Sequence, residues 1–168
     1  DLGQDIDTLR ISLKKNWRGS LKKGESENMD IHWDWSGRQL PILLKLYETD
    51  QQQKEYKGAS QKMIRALAAQ TVQNKNMLCG IISAQERPVA AVLIFLHGTS
   101  ATYQIGWSSA EGRKKCAMHR LLWEAISVLK ERGIQDFDLG GVNDDSAAGI
   151  KKFKMGLGGE HITYLGQY

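Results

Sequence analysis

Cysteine is nearly absent from this chain of 168 residues: only Cys79 and Cys116 occur. Nothing near either supplies a repeated Cys/His ligand spacing, which argues against a zinc site or a disulfide scaffold. No metal is expected, and a reducing, cytoplasmic compartment fits best. Long apolar runs are also missing. The longest, roughly Val89 to Leu96, falls far short of the ~20 residues that cross a bilayer, and the N-terminus has no signal-like apolar stretch. A soluble chain without a transmembrane segment is expected. There is no GxGxxG after a strand pattern, no GxxxxGKS or GxxxxGKT, and no GxSxG elbow, so dinucleotide binding, nucleoside triphosphate hydrolysis and serine-type hydrolysis lack motif support. Asn143, Asp144 and Asp145 start an acidic loop, but no Glu closes it at calcium-loop spacing.

A hydrophobic content of 41% is enough for one core, so one domain over residues 1–168 is expected. Twenty-three Lys plus Arg against nineteen Asp plus Glu give a formal charge of +4, too little to imply nucleic acid by itself. The cations are grouped. Lys14, Lys15, Arg18, Lys22 and Lys23 form one cluster, Arg113 to Lys115 a second, and Lys151, Lys152 and Lys154 a third. Each is either a solvated face or a site for a phosphate-bearing partner. Binding of nucleic acid alone would rest on these lysines and Trp17, without aromatics arranged as a stacking platform.

Periodicity predicts a helix over residues 5–25, with Ile6, Leu9, Leu13, Trp17 and Leu21 inward, Arg10, Lys14, Arg18 and Lys22 as a neighbouring cationic stripe, and Gly24 as its stop. MDIHWDW alternates as a half-buried strand with His32 on the surface. Ser36 or Gly37 then starts a helix, residues 51–57 form a polar connector, and Ser60 opens the next helix. Three strands with short links follow, at Met77 to Ser83, PVAAVLIFLHG and ATYQIGWS, and read as an antiparallel meander. Ser108 with Glu111 resembles a capping box ahead of a helix over 113–132 that ends at Gly133. IQDFDLGG reads as a buried strand, IKKFKMG as a short helix and HITYLGQY as a final strand. Cys116 and His119 are read as core or surface residues, since their helical spacing alone makes them neighbours. The whole is an α/β (α+β) fold: a central, mostly antiparallel mixed sheet with helices on both faces.

Several segments then match in order. They are KKNWRGSLKK at Lys14 to Lys23, YQIGWSSAEGR at Tyr103 to Arg113, LLWEAI at Leu121 to Ile126, FDLGG at Phe137 to Gly141, and FKMGLGG at Phe153 to Gly159. On these the chain resembles the FemAB-type family of aminoacyl and acyl transferases, built on the GCN5-related N-acetyltransferase fold. The resemblance implies transfer of an activated acyl group to an amine, from aminoacyl-tRNA to a nucleotide-linked or lipid-linked peptidoglycan precursor in cell-wall synthesis, with no cofactor. It also implies a companion domain of the same fold, because the family pairs two.

In that reading Lys154 lies near the acyl donor and offsets negative charge on the attacked carbonyl. Arg18 and Lys22, with Trp17, Asn143 and Tyr103, hold substrate, and Asp138 partners the amine or a lysine. The alternative is an N-acetyltransferase using acetyl-CoA or another acyl-CoA, with Ser109, Gly112 and Arg113 at the cofactor turn. That turn, SSAEGRKK, contains one glycine, and Lys152 stands where many acetyltransferases have a tyrosine as general acid; it would need burial to serve. A noncatalytic module of the same fold, holding substrate or a partner chain, is the remaining reading.

Overall fold

In the computed structural model the elements run α1 (Ile6–Ser12), α2 (Lys15–Ser26), β1 (Asp30–Asp34), α3 (Leu40–Lys54), α4 (Gln61–Thr71), β2 (Met77–Ala84), β3 (Arg87–His97), β4 (Ser100–Ser108), α5 (Ala110–Lys114), α6 (Ala117–Glu131), β5 (Asp136–Asp138) and α7 (Ala148–Gly156). The structure describes residues 1–55, 58–141 and 148–162. The strands lie in the order β1-β2-β3-β4-β5; the first four pair antiparallel and β5 runs parallel to β4. A parallel return needs a crossover, which α5 and α6 supply.

The apolar stretch in β3 explains why helices cover both faces. Ala90, Val92, Ile94 and Leu96 enter one core with Leu21 of α2 and Leu121, Ala125 and Leu129 of α6. Ala91, Leu93 and Phe95 point the other way, onto Leu43 and Leu44 of α3 and Ile64 of α4. A strand whose side chains alternate in this way must be apolar throughout when both faces are buried. The expected architecture, a mixed and mostly antiparallel sheet flanked by helices, is the one found. No helix among the described residues is long and apolar enough to cross a membrane.

The structure departs from the pattern at helix ends. The predicted helix over 5–25 is two helices, because Leu13 and Lys14 are extended at ψ 137° and 145°. The break buries Leu13 and frees the Lys14 amide to donate to the Gly156 carbonyl at 3.0 Å. Gly24 is not a stop. It lies inside α2, where a β-carbon would stand 2.8 Å from the Cys116 carbonyl oxygen and 3.2 Å from Arg120 Cβ. Its missing side chain is what lets α2 approach α6.

The second helix begins at Leu40 rather than Ser36 and absorbs much of the expected connector, running to Lys54. The turn before it is held by Asp34, whose buried carboxylate accepts from the Ser36 amide (2.7 Å), the Ser36 hydroxyl (2.6 Å) and the Gln39 amide (2.7 Å). These bonds hold its pKa below the ordinary carboxylate value although burial opposes them. The helix expected over 113–132 is likewise two, with Cys116 at φ +54° between them. The first is capped by Ser109 rather than Ser108: its hydroxyl accepts from the Gly112 amide at 3.0 Å. The strand expected to be buried at IQDFDLGG is three residues long, with Asp136 and Asp138 exposed. The final strand expected at residues 161–168 lies outside the described residues beyond Ile162.

Two glycines of α2 make the packing argument testable. Nothing lies within 4 Å of a β-carbon at Gly19, so Gly19→Ala is expected to stabilise the fold by about 0.5–1 kcal/mol through helix propensity. Gly24→Ala gains the same propensity but forces α2 off α6, with an expected net loss of about 1–3 kcal/mol. Denaturant unfolding of both variants checks the difference in sign.

Candidate active site

Strand β4 is paired on its outer side for only three residues: Ser100, Ala101 and Thr102 face Asp136, Phe137 and Asp138. It then continues from Tyr103 to Ser108 with no strand beside that edge among the described residues. A register shift sits at the same place. Leu93 faces Ile105 while Ile94 faces Tyr103, so Gln104 is an extra residue in β4. Such a bulge bends the strand and re-aims its side chains. The pairing of β4 with β5 ends at Thr102 and Asp138, and beyond it the outer edge of β4 has no strand partner among the described residues.

Side chains from three elements gather where the strands part. Tyr103 is half-buried and lies back along its own strand: a β-carbon at Gly106 would stand 1.5 Å from the Tyr103 hydroxyl oxygen, so no larger residue fits there with this rotamer. Burial pushes the phenol's pKa well up, so it keeps its proton. Lys154, from α7, places its Nζ 5.8 Å from the Tyr103 ring centroid and donates to the Gly141 carbonyl at 3.0 Å. Burial lowers the pKa of this ammonium group, and the Asp138 carboxylate opposes that shift. Asp138 ends β5 and accepts from the Gly140 amide at 2.7 Å. Gly140 has φ +74°, a conformation suited to glycine, which turns the chain back beneath Lys154. Tyr103, Asp138 and Lys154 thus meet at one place.

The other expected site residues divide. Ser109 and Gly112 build the β4–α5 turn itself; a β-carbon at Gly112 would stand 2.0 Å from the Val89 carbonyl oxygen, so its glycine is required by packing on β3. Arg113 donates to the Ser108 carbonyl at 2.6 Å and braces the same turn. Lys152 is exposed on α7 and lacks the burial that a general acid role would need. The cationic stripe of the N-terminal segment is also split up. Arg10 pairs with Glu25 through two bonds of 2.8 and 2.6 Å, Arg18 donates to the Ile11 carbonyl at 2.9 Å and closes the end of α1, and Lys22 is exposed on α2. Asn143 lies outside the described residues.

Trp17 is buried, and its role is to pack. It meets His119 of α6 at 4.9 Å between centroids and Phe153 of α7 at 5.9 Å, while His119 meets Phe153 edge-on at 4.9 Å and 85°. A β-carbon at Gly156 would stand 2.5 Å from Trp17 Cδ1, so this glycine admits the indole. Burial among the rings pulls the pKa of His119 down to about 4 from an ordinary 6.5. Sequence reading left His119 beside Cys116 as a core or surface residue; its partners lie far off in the chain and no local signal announces them.

A family model described as an acetyltransferase (GNAT) domain matches residues 12–160. Among curated proteins the chain is similar to the aminoacyltransferase FemA of Staphylococcus aureus, 30% identical over 88 residues that make up 49% of this chain and 21% of FemA. Among solved structures it is similar to FemX, with a TM-score of 0.79 at 12% identity over 94% of this chain and 56% of that one. It is also similar to AAC(6')-Iy in complex with a bisubstrate analogue built on CoA, with a TM-score of 0.62 at 12% identity over 84% and 97%. The chain thus spans about a fifth of FemA in the matched region and little more than half of FemX. The expectation of no cofactor is corrected here: fold relatives such as AAC(6')-Iy are seen with CoA or a CoA-linked ligand.

The neutral state of His119 gives a pH prediction. Its pKa in the fold lies below the unfolded value, so the unfolded chain takes up the proton first as pH falls. The stability tied to this group is complete above about pH 6.5, declines as pH drops towards about 4, and is level below that. Chemical unfolding across this range is expected to show the decline in the wild type and to lose that part of it in His119→Phe.

Proposed function

Because the chain belongs to the acetyltransferase (GNAT) domain family, we propose that it transfers an acyl group from an acyl-CoA to an amine at the place where β4 and β5 part. The observation that carries this reading is the convergence of Tyr103, Asp138 and Lys154 beside the unpaired edge of β4. The donor set fits an acyl-CoA: the outer edge of β4 from Tyr103 to Trp107 has no strand partner among the described residues and would bond an amide-bearing arm, and Lys114 is exposed at the following turn to meet an anion. When bound, the cofactor supplies the acyl group as an activated thioester.

The residues of the chain then have separable tasks. Lys154 holds a positive charge in a half-buried place, where it offsets the negative charge that develops on an attacked carbonyl oxygen more effectively than it would in water. The burial that strengthens it also lowers its pKa, and the Asp138 carboxylate counters that shift. Tyr103 retains its phenolic proton and can donate a hydrogen bond to the oxyanion or to a departing group. The amine acceptor approaches by the same opening and must arrive or become neutral, since only a free lone pair attacks.

A second reading has its own support. The likeness to FemA and FemX, together with exposed Lys14, Lys15, Lys22 and Lys23 near α2, favours an aminoacyl ester on transfer RNA as donor and a peptidoglycan precursor as acceptor. Lys154 would do the same work there, because aminolysis of an ester also passes through an oxyanion. A companion domain of the same fold would complete the cleft in that case.

Thermal unfolding with added ligand distinguishes the donors. CoA at about 100 times its dissociation constant is expected to stabilise the chain by about 2.7 kcal/mol, a rise of ~5–10 °C for a domain of this size. No shift with CoA, alongside a shift with aminoacylated transfer RNA, would replace the first reading by the second. In whichever assay gives turnover, Lys154→Ala is expected to lower kcat by ~100-fold or more, with Lys152→Ala unchanged within about twofold.

A further inference from the structure

Helix α7 carries Lys154 and is held against α2 and α6. Its C-terminal end is tied by the Lys14 amide, which donates to the Gly156 carbonyl at 3.0 Å. Its middle is held by a cluster of three rings, each from a different helix: Trp17 of α2, His119 of α6 and Phe153 of α7. The edge-on meeting of His119 and Phe153, at 4.9 Å and 85°, is a preferred geometry for aromatic pairs. The Trp17–His119 contact is tilted by 58° at the same distance. The indole Nε1 is buried without a hydrogen-bond partner, so no polar bond orients the indole and ring packing sets the cluster. Trp17 and Phe153 also meet each other at 5.9 Å, so the three rings form a triangle in which His119 braces both from α6.

Phe153 precedes Lys154 directly. Neighbouring residues on a helix differ by about 100° in direction, so with the phenyl ring seated on His119 the lysine side chain is sent towards β4, where its Nζ reaches the Gly141 carbonyl and Tyr103. We propose that His119 is a positioning residue: its ring, packed against both Trp17 and Phe153, fixes the rotation of α7 and so holds Lys154 where the pairing of β4 and β5 ends. His119 does not enter the opening and acts only through Phe153. Its bearing on turnover rests on the acyl-transfer reading, but its bearing on where Lys154 sits does not.

The test reads Lys154 directly. The folded chain is treated at neutral pH with a small amine-acylating reagent, and the labelling rates of Lys154 and of exposed Lys152 are compared by peptide mass spectrometry. In the wild type the labelling rates of Lys154 and Lys152 are expected to differ about fivefold or more, because Lys154 is half-buried and bonded to the Gly141 carbonyl whereas Lys152 is exposed. His119→Ala is expected to bring the two rates within about twofold, and His119→Phe, which restores a ring, to return the wild-type ratio. The proposal is overturned if His119→Ala leaves the ratio unchanged, or if His119→Phe behaves like His119→Ala. Should His119→Ala fail to fold, Phe153→Leu takes its place: it removes the partner ring on α7, and an unchanged ratio there is equally fatal. Turnover separates the two layers. A loss of kcat in His119→Ala with KM for the acyl donor unchanged and rescue by His119→Phe supports the link to catalysis, whereas a changed labelling ratio with unchanged turnover keeps the positioning and overturns the part given to Lys154 in the chemistry.

Discussion

Everything proposed for this chain depends on two neighbouring strands that stop being neighbours. β4 and β5 share three residue pairs and then separate, which leaves half of β4 with backbone hydrogen-bonding groups that the sheet does not use. Unpaired backbone groups must find partners in water, in side chains or in a ligand. The bulge at Gln104 and the turn at Gly140 lie on either side of the separation, so it is built into the local geometry of both strands. A ligand with its own amides can take up the vacated bonding pattern without disturbing the rest of the sheet.

The surroundings of that opening are assembled by close approach rather than by polar networks. Gly24 lets α2 reach α6, Gly106 lets Tyr103 lie along β4, Gly112 seats α5 on β3, and Gly156 admits Trp17. Each closes a gap where any side chain would collide with backbone or with a ring. Between them they draw α2, α6 and α7 into one cluster. Many of the charged side chains that the sequence groups together are occupied in holding this frame: Arg18 ends α1, Arg113 braces a turn, and Arg10 joins α1 to α2 through Glu25. Lys154 differs from these cations in being half-buried beside the opening.

The sheet was legible from the sequence because its signal is local. Short links between β2, β3 and β4 and the alternation in MDIHWDW need no knowledge of the rest of the chain. FDLGG and FKMGLGG, far apart as elements, are brought together in the fold, where Asp138, Gly140 and Lys154 meet. Helix boundaries were not legible. The breaks at Leu13 and Cys116 interrupt stretches whose apolar spacing continues unbroken, and they arise from contacts with α7 and with α2, respectively. A continuous amphipathic pattern states which residues face inward and not whether the axis bends. Asp34 falls on the same face as His32 in the alternating MDIHWDW, and its burial comes from the turn it holds. His119 was invisible for a plainer reason: the rings around it come from positions 17 and 153, and no window of sequence contains all three.

That separation along the chain bears on how the protein is made. Contacts between residues far apart in sequence form late, because a long loop must close before they contribute. The sheet and the packing of α2 on α6 involve residues up to about 138, whereas the ring that seats α7 arrives only with residue 153. During synthesis the opening between β4 and β5 can therefore exist before the lysine that belongs in it. A nascent or truncated chain would carry the cleft without its cation, folded in most respects and lacking the charge that α7 brings to it.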